Sequence, residues 1–349
     1  MRNRYSIILA TLLVALLAAC PKGAKGLGGG MPDKPTVPGS DKVPGGLGGS
    51  SGMVDPNTCG NYAASEAGKR FKAFLEALID MQKTAEETVK VVKQSCVMLG
   101  TEIGMIPADL EGETNEVCAR VYGEVDKNMK VVVKSKAAFK VKYKPAVCTV
   151  NVQASAKAAA ECEGKASADV GAKCTGTCRG KCNGTCAGKA GTGGNAGECA
   201  GECKGTCEGK CEGHADVNAS AQCKAQASVK ANAEVECTKA ELDVTLDAKL
   251  VVDKSKAEKM VNGFKKALPE IFSIKARLAP LKYAAENLVA AAGELKDMGP
   301  KFVNSFKDQA LCISGQVAAV ASLISKIQLN VSVSVEVSAS ASGSVGGGA

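Results

Sequence analysis

Cys174-Thr175-Gly176-Thr177-Cys178-Arg179-Gly180-Lys181-Cys182-Asn183-Gly184-Thr185-Cys186 and Cys199-Ala200-Gly201-Glu202-Cys203-Lys204-Gly205-Thr206-Cys207-Glu208-Gly209-Lys210-Cys211 are the two stretches whose reading decides the fold. Each repeats cysteine at every fourth residue with glycine midway. Working outward, Cys162 and Cys148 precede the first block, and Cys223 and Cys237 follow the second. Cys148 with Cys237, Cys162 with Cys223, Cys174 with Cys211, Cys178 with Cys207, Cys182 with Cys203 and Cys186 with Cys199 all have residue numbers that add to 385. A constant sum is the mark of antiparallel pairing. Two regular blocks are symmetric automatically, so the weight rests on the outer two pairs, which fall independently on the same sum. A tandem duplication gives a shift, not a mirror. Moving Cys174 onto Cys199 would carry Cys162 to 187 and Cys148 to 173, which hold Ala187 and Lys173. The spacing therefore predicts six cross-strand disulfides on one hairpin.

The residues between the cysteines alternate. From Cys148 to Cys186 the even positions are small or apolar (Val150, Val152, Ala154 to Ala160, Val170, Gly176, Gly180), and the odd ones carry charge (Lys157, Glu161, Asp169, Lys173, Arg179). On the return the parity inverts, with Gly201, Ala215, Val217, Ala225, Val229 and Val235 set against Glu202, Lys210, Asp216, Lys224 and Glu234. Period two predicts strands, both apolar sets facing one side. A helical hairpin is the competing reading, because alanine favours helix over strand. Glycine at every fourth residue of the cysteine blocks weakens that alternative. Before Cys148 and after Cys237 the parity flips, yet Phe139 with Leu246, Val141 with Val244 and Tyr143 with Leu242 keep the sum. The hairpin base is thus expected to turn larger side chains toward a helical body. Kept straight, such an arm would be roughly 130–165 Å long.

Between Pro145 and Glu241 there is no Leu, Ile, Met, Phe, Tyr or Trp. Such a stretch buries too little apolar surface to offset chain entropy, and a lone hairpin is marginal in water. Cross-links have to supply the order, at about 2–4 kcal/mol for an isolated disulfide and less for each further nested one.

Disulfides require an oxidising compartment. Arg2 and Arg4 precede the apolar run Ile7 to Ala19, which reads as a signal peptide over residues 1–19. Its end, Leu17-Ala18-Ala19-Cys20, resembles the lipobox of bacterial lipoproteins. The resemblance implies cleavage before Cys20, lipidation of that residue, and a protein tethered to a bacterial membrane. Pro21 follows in place of the aspartate associated with inner-membrane retention, which points to the outer membrane. Residues 20–57, rich in Gly and Pro, read as a flexible tether. Setting Cys20 aside leaves sixteen of the seventeen cysteines, an even number.

Helical periodicity marks residues 58–136 and 253–326. Phe71, Phe74, Leu75, Leu78, Ala85, Val89, Val92, Cys96 and Leu99 predict one long amphipathic helix over 62–99. Thr114 is placed to cap a second, carrying Val117, Val121, Val125 and Met129. Ser255-Lys256-Ala257-Glu258 resembles a capping box before Met260, Phe264 and Leu268. Residues 270–298 predict a further helix kinked at Pro280, and Gly299-Pro300 opens a last one. Cys96 and Cys118 flank the turn between the first two helices and are expected to clip them together, which leaves Cys59 with Cys312 by elimination. From Ile327 to Ala341, alternation of Val, Ala and Ser predicts a third strand, followed by a Gly-rich tail to residue 349. The expected fold is α+β: a bundle of about five helices interrupted, over 137–252, by a very long disulfide-laddered antiparallel hairpin, with a C-terminal strand over 327–349.

Motifs for chemistry are sparse. The single histidine, His214, falls on the polar face of the hairpin and reads as a solvated side chain. No nucleophile elbow, zinc-protease motif or phosphate loop is present, and no cofactor is implied. Neighbouring cysteines four apart on a strand lie about 13 Å from each other, too far to close around one ion. The net charge of +8 comes with only twelve aromatic residues and alternating Lys and Glu, which disfavours nucleic acid. The expected function is non-enzymatic. It is a membrane-anchored envelope lipoprotein with a structural, adhesive or partner-binding role, contacting a partner at the hairpin tip (Lys189, Thr192, Asn195, Glu198) and self-associating through the Ala/Gly face. A pore or export component with pooled hairpins is the alternative, and a cysteine-rich metal binder the second.

Overall fold

The computed structural model describes residues 54–135, 138–190, 198–306 and 309–344. Up to residue 53, the segments expected to be a signal peptide and a tether, Cys20 included, lie outside the described residues, as do Thr192, Asn195 and residues 345–349. Elements run α1 (Glu66–Glu102), α2 (Thr114–Val132), β1 (Phe139–Lys144), β2 (Cys148–Asn151), α3 (Val152–Glu163), β3 (Ala172–Ala190), β4 (Glu198–Val217), α4 (Ala221–Ala233), β5 (Glu236–Cys237), β6 (Glu241–Leu246), α5 (Lys254–Asn304) and α6 (Ala310–Ser344). The molecule is mixed helix and sheet, with a disulfide-laddered antiparallel hairpin inserted into a helical body.

Two apolar clusters hold the body together. One joins Phe71, Phe74, Leu78 and Met81 of α1 to Leu281, Leu288 and Leu295 of α5 and to Ile313 through Val331 of α6. The other joins Val92 and Leu99 of α1 to α2, to Met260 through Ile271 of α5, and to Val337 and Ala341 of α6. These contacts make α1 and α5 antiparallel, with α6 running in the sense of α1. Each fully buried Phe, Leu or Met contributes about 1.5–3 kcal/mol. Ser65 caps α1 by accepting from the Gly68 N–H. Glu113, not Thr114, occupies the N-cap of α2, and it makes no side-chain bond there. Asp253 rather than Ser255 caps α5, accepting from the Lys256 N–H. Helix α5 runs unbroken through Pro269 and Pro280, and its one non-helical residue is Gly299 (φ 48°, ψ −135°). Burial of Leu268, Ile271, Phe272 and Leu281 around the two prolines offsets the backbone bonds they omit.

The C-terminal strand is corrected to helix. Residues 310–344 form α6, and its buried positions, Ile313, Val320, Leu323, Ile327, Val331, Ser334, Val337 and Ala341, recur at helical spacing. Alternation and helical spacing coincide poorly here, and packing decides: Val331 and Val337 face in, while Val335 is exposed. Buried Ser334 donates to the Asn330 carbonyl one turn back, so its hydroxyl is satisfied without a sheet. A strand would put Ser332 and Ser334 on one face; the helix exposes the first and buries the second. Ser334→Lys is therefore expected to cost more than about 3 kcal/mol and Ser332→Lys less than about 0.5. Thermal melts of the two variants check this, and similar melts for both would restore the strand.

The hairpin base matches the constant sum. β1 pairs with β6, Phe139 opposite Leu246, Val141 opposite Val244 and Tyr143 opposite Leu242. Phe139 and Tyr143 meet Phe264 and Phe272 of α5 at ring-centroid distances of 5.9 and 4.7 Å. Above it Cys148 lies opposite Cys237. The continuous strands expected from there to the cysteine blocks are replaced by α3 and α4, bridged by Cys162–Cys223. Neither segment contains glycine, both are alanine-rich, and a helix satisfies its backbone internally where Ala offers a sheet little to pack. Asn151 caps α3 through the Gln153 and Ala154 amides, and Gly164 ends it at φ 67°. Buried Ala158, Ala159, Ala225, Ala227 and Ala231 therefore pack inside the chain and form no open Ala/Gly sheet face.

Candidate functional site: the wound ribbon and its anchorage

β3 and β4 do not project as a straight arm. Their main register pairs Cys178 with Cys211, Cys182 with Cys207 and Cys186 with Cys203, residue numbers adding to 389. A second register pairs the other edge of β3 with the far end of β4: Cys178 with Gly201, Arg179 with Ala200 and Gly180 with Cys199, adding to 379. Gly188, Gly201, Cys178, Cys211 and Val150 thus lie side by side across one sheet. The difference between the registers, ten residues, is one turn of a two-stranded ribbon wound on itself. A wound ribbon is much shorter than the straight 130–165 Å arm.

The winding explains the disulfides. Cys174–Cys211, Cys178–Cys207, Cys182–Cys203 and Cys186–Cys199 each run diagonally, one repeat away from the residue directly opposite. Cys178 lies opposite Cys211 yet is bonded to Cys207, with Cα atoms 5.9 Å apart. In a flat strand Cys207 and Cys211 would be about 13 Å apart. Reaching Cys178 from both requires the strand to coil. Cys178, Cys182, Cys199, Cys203, Cys207 and Cys211 are buried, so cystine sulfur is the core of the coil. Lys173, Thr175, Arg179, Lys181, Asn183, Thr185, Glu202, Lys204 and Lys210 cover the outside, where Arg179 pairs with Glu212 and Lys181 with Glu208. Gly184 and Gly205 face each other so closely that a Cβ on either would meet the opposite backbone.

Two polar clusters fasten this insert to the body. In the first, Glu163 at the end of α3 meets Arg70 of α1 at 2.9 Å and accepts from the Ser220 N–H before α4 at 2.6 Å. Burial works to raise this carboxyl, but Ser220, Arg70 and Lys165 outweigh it and hold it below its ordinary 4.5. In the second, His214 of β4 stacks on Tyr283 of α5 (centroids 3.7 Å apart, planes at 23°). Tyr283 Oη donates to Asp216 at 2.7 Å, and Lys224 of α4 pairs with the same carboxylate at 2.5 Å. His214 is therefore a packed side chain and not the solvated one expected. Burial, with Lys224 adding to it, lowers the imidazole below its usual 6.5 against the pull of Asp216 and Glu286. Burial also opposes the charge on Asp216, yet Lys224 and Tyr283 hold it below 3.8.

Tyr283 and Lys224 both meet the Asp216 carboxylate and His214 packs on the Tyr283 ring, so the arrangement works as a latch between ribbon and body. Its pH response follows from the signs. His214 contributes stability fully above pH 6.5, and that share is lost as pH falls toward its depressed folded value. Asp216 and Glu163 contribute above their ordinary values, and are lost at more acid pH still. His214→Phe keeps the stacking without the charge. It is expected to remove the fall in melting temperature that sets in as pH drops below 6.5, while leaving the acid limb of Asp216 and Glu163. An unchanged slope in that variant would show that His214 does not titrate against the latch.

Of the expected tip contacts, Lys189 and Glu198 belong to β3 and β4, where their backbones pair with Ala200 and Lys181. Cys59–Cys312 ties the segment before α1 to α6, and Cys96–Cys118 clips α1 to α2. Every cysteine from Cys59 to Cys312 is thus in a disulfide. Sequence reasoning missed the latch because Tyr283 lies far along the chain from His214, Asp216 and Lys224, and nothing local to Tyr283 marks it. No protein-family model, curated protein or solved structure matches this chain.

Proposed function

We propose that the protein is a bacterial envelope lipoprotein, anchored through Cys20, that presents the wound ribbon as a structural or partner-binding module. The observation that carries this reading is the cystine core of the ribbon, which needs an oxidising compartment. The lipobox resemblance at Leu17 to Cys20 supplies the anchor, and Pro21 favours the outer membrane. The charged shell of alternating Lys and Glu around that core is a surface for recognition. Tests are membrane fractionation and intact mass of the wild type and Cys20→Ser. The wild type is expected in detergent-extractable membranes with an acylated N-terminal cysteine, and the variant in the soluble fraction. An unacylated wild type would overturn the anchor.

A pore or export role is the second reading, and one observation favours it: Ala310–Ala339 is long and apolar enough to cross a membrane, with mean hydropathy 1.6 and a third of that window buried. Dye release from liposomes by the delipidated protein would bring it forward. Intact liposomes would leave the structural reading in place.

A further inference from the structure

A cleft of about 520 Å³ opens beside the root of the ribbon, between α1, the segment after β5, and α5. Thr88 and Val91 form one wall, Ile274 and Arg277 the other, and Cys237 lies between them. Arg277 Nε donates to Cys237 Sγ at 3.3 Å. Among the described residues this is the one disulfide sulfur with a cationic side chain within hydrogen-bond distance. Cys237 is partly exposed, while its partner Cys148 is buried. The bond they form spans the whole insert, with a sequence separation of 89.

We propose that Cys148–Cys237 is a thiol–disulfide exchange site for a dithiol reductant that enters this cleft. The reductant's thiolate attacks Sγ of Cys237, the partly exposed cysteine that lines the cleft. The S–S bond breaks and its electron pair leaves on Cys148 Sγ, which takes up a proton. The reductant's second thiol gives up its proton and attacks the reductant's other sulfur in the mixed disulfide; Cys237 leaves as a thiolate beside Arg277 and then takes up that proton. The reductant ends as a cyclic disulfide and the protein as a dithiol, so two electrons and two protons have moved. The guanidinium favours each stage at which negative charge gathers on Cys237 and its attacker, and it makes Cys237 the better leaving thiolate. The ribbon disulfides differ: no charged donor meets their sulfurs among the described residues, and most of those sulfurs are buried. The exchange would unfasten the root of the insert while its cystine core stayed closed. This goes beyond the structural role proposed above and does not depend on the lipid anchor.

The test uses the full oxidised chain and dithiothreitol as the probe. Timed alkylation and peptide mass spectrometry identify which cysteines appear first. Cys148 and Cys237 are expected before all others, and Arg277→Met is expected to slow their appearance about tenfold, with Arg277→Lys falling between. Arg277 is exposed, so neither substitution threatens the fold. Earlier reduction of any other pair, or an unchanged rate in Arg277→Met, would each overturn the proposal.

Discussion

Gly205→Ala is expected to abolish the native disulfide ladder. Gly205 sits at φ +158°, opposite Gly184, and a Cβ built there lies 2.2 Å from the Asn183 carbonyl oxygen and 2.9 Å from Gly184 Cα. Both obstacles are backbone of the facing strand, so no rotamer change relieves them. The strands must separate, and the diagonal Cys182–Cys203 bond beside them loses its reach. A cost of at least about 3 kcal/mol follows from forced backbone strain and lost packing. Gly171→Ala is the control, because a Cβ there meets nothing within 4 Å. It should be neutral or stabilise slightly by restricting the unfolded chain. Non-reducing peptide mapping and a thermal melt check both variants. Wild-type linkage and melting in Gly205→Ala would disprove the close approach of the two strands.

Complete reduction is expected to unfold the ribbon while the helical body persists. The cluster around the ribbon contains only cysteine, alanine and valine among its buried residues. Breaking the cross-links removes about 2–4 kcal/mol for the first and less for each nested one. It also removes the packing core itself, which in this segment is the same set of atoms. The body keeps Phe71, Phe74, Leu78, Phe264, Leu268 and Leu288, all essentially inaccessible to solvent. Limited trypsin digestion in strong reductant should cut at Lys173, Arg179, Lys181, Lys204 and Lys210 within minutes and spare α1 and α5. Helical circular dichroism should survive in large part. Simultaneous loss of both regions would show that the body depends on the ribbon.

What could be read from the chain was covalent partnership. The sum of 385 names the cysteines that bond, because disulfides here follow the mirror. It does not name the backbone register, because each ribbon bond is diagonal and the strands pair at 389. A sequence records which residues are spaced alike, and the pitch of a wound ribbon changes that spacing only in three dimensions. The alanines of 154–160 fit period two and helix equally, and the absence of glycine from 152–163 was the local signal that favoured helix. The Val-Ser alternation after Ile327 misled for a different reason. Ser334 is silent about its burial until α1, α2 and α5 surround it. The stacking of His214 on Tyr283 joins residues 69 positions apart and has no local trace.

The diagonal bonding has a consequence for biogenesis. Bonds between directly opposed cysteines would join Cys178 to Cys211, Cys182 to Cys207 and Cys186 to Cys203, while Cys174 faces Ala215 and Cys199 faces Ala190. That slipped isomer leaves two free thiols. The native isomer leaves none in the ribbon. Free thiols in the ribbon therefore distinguish the slipped isomer from the native one, and alkylation of the folded chain would count them.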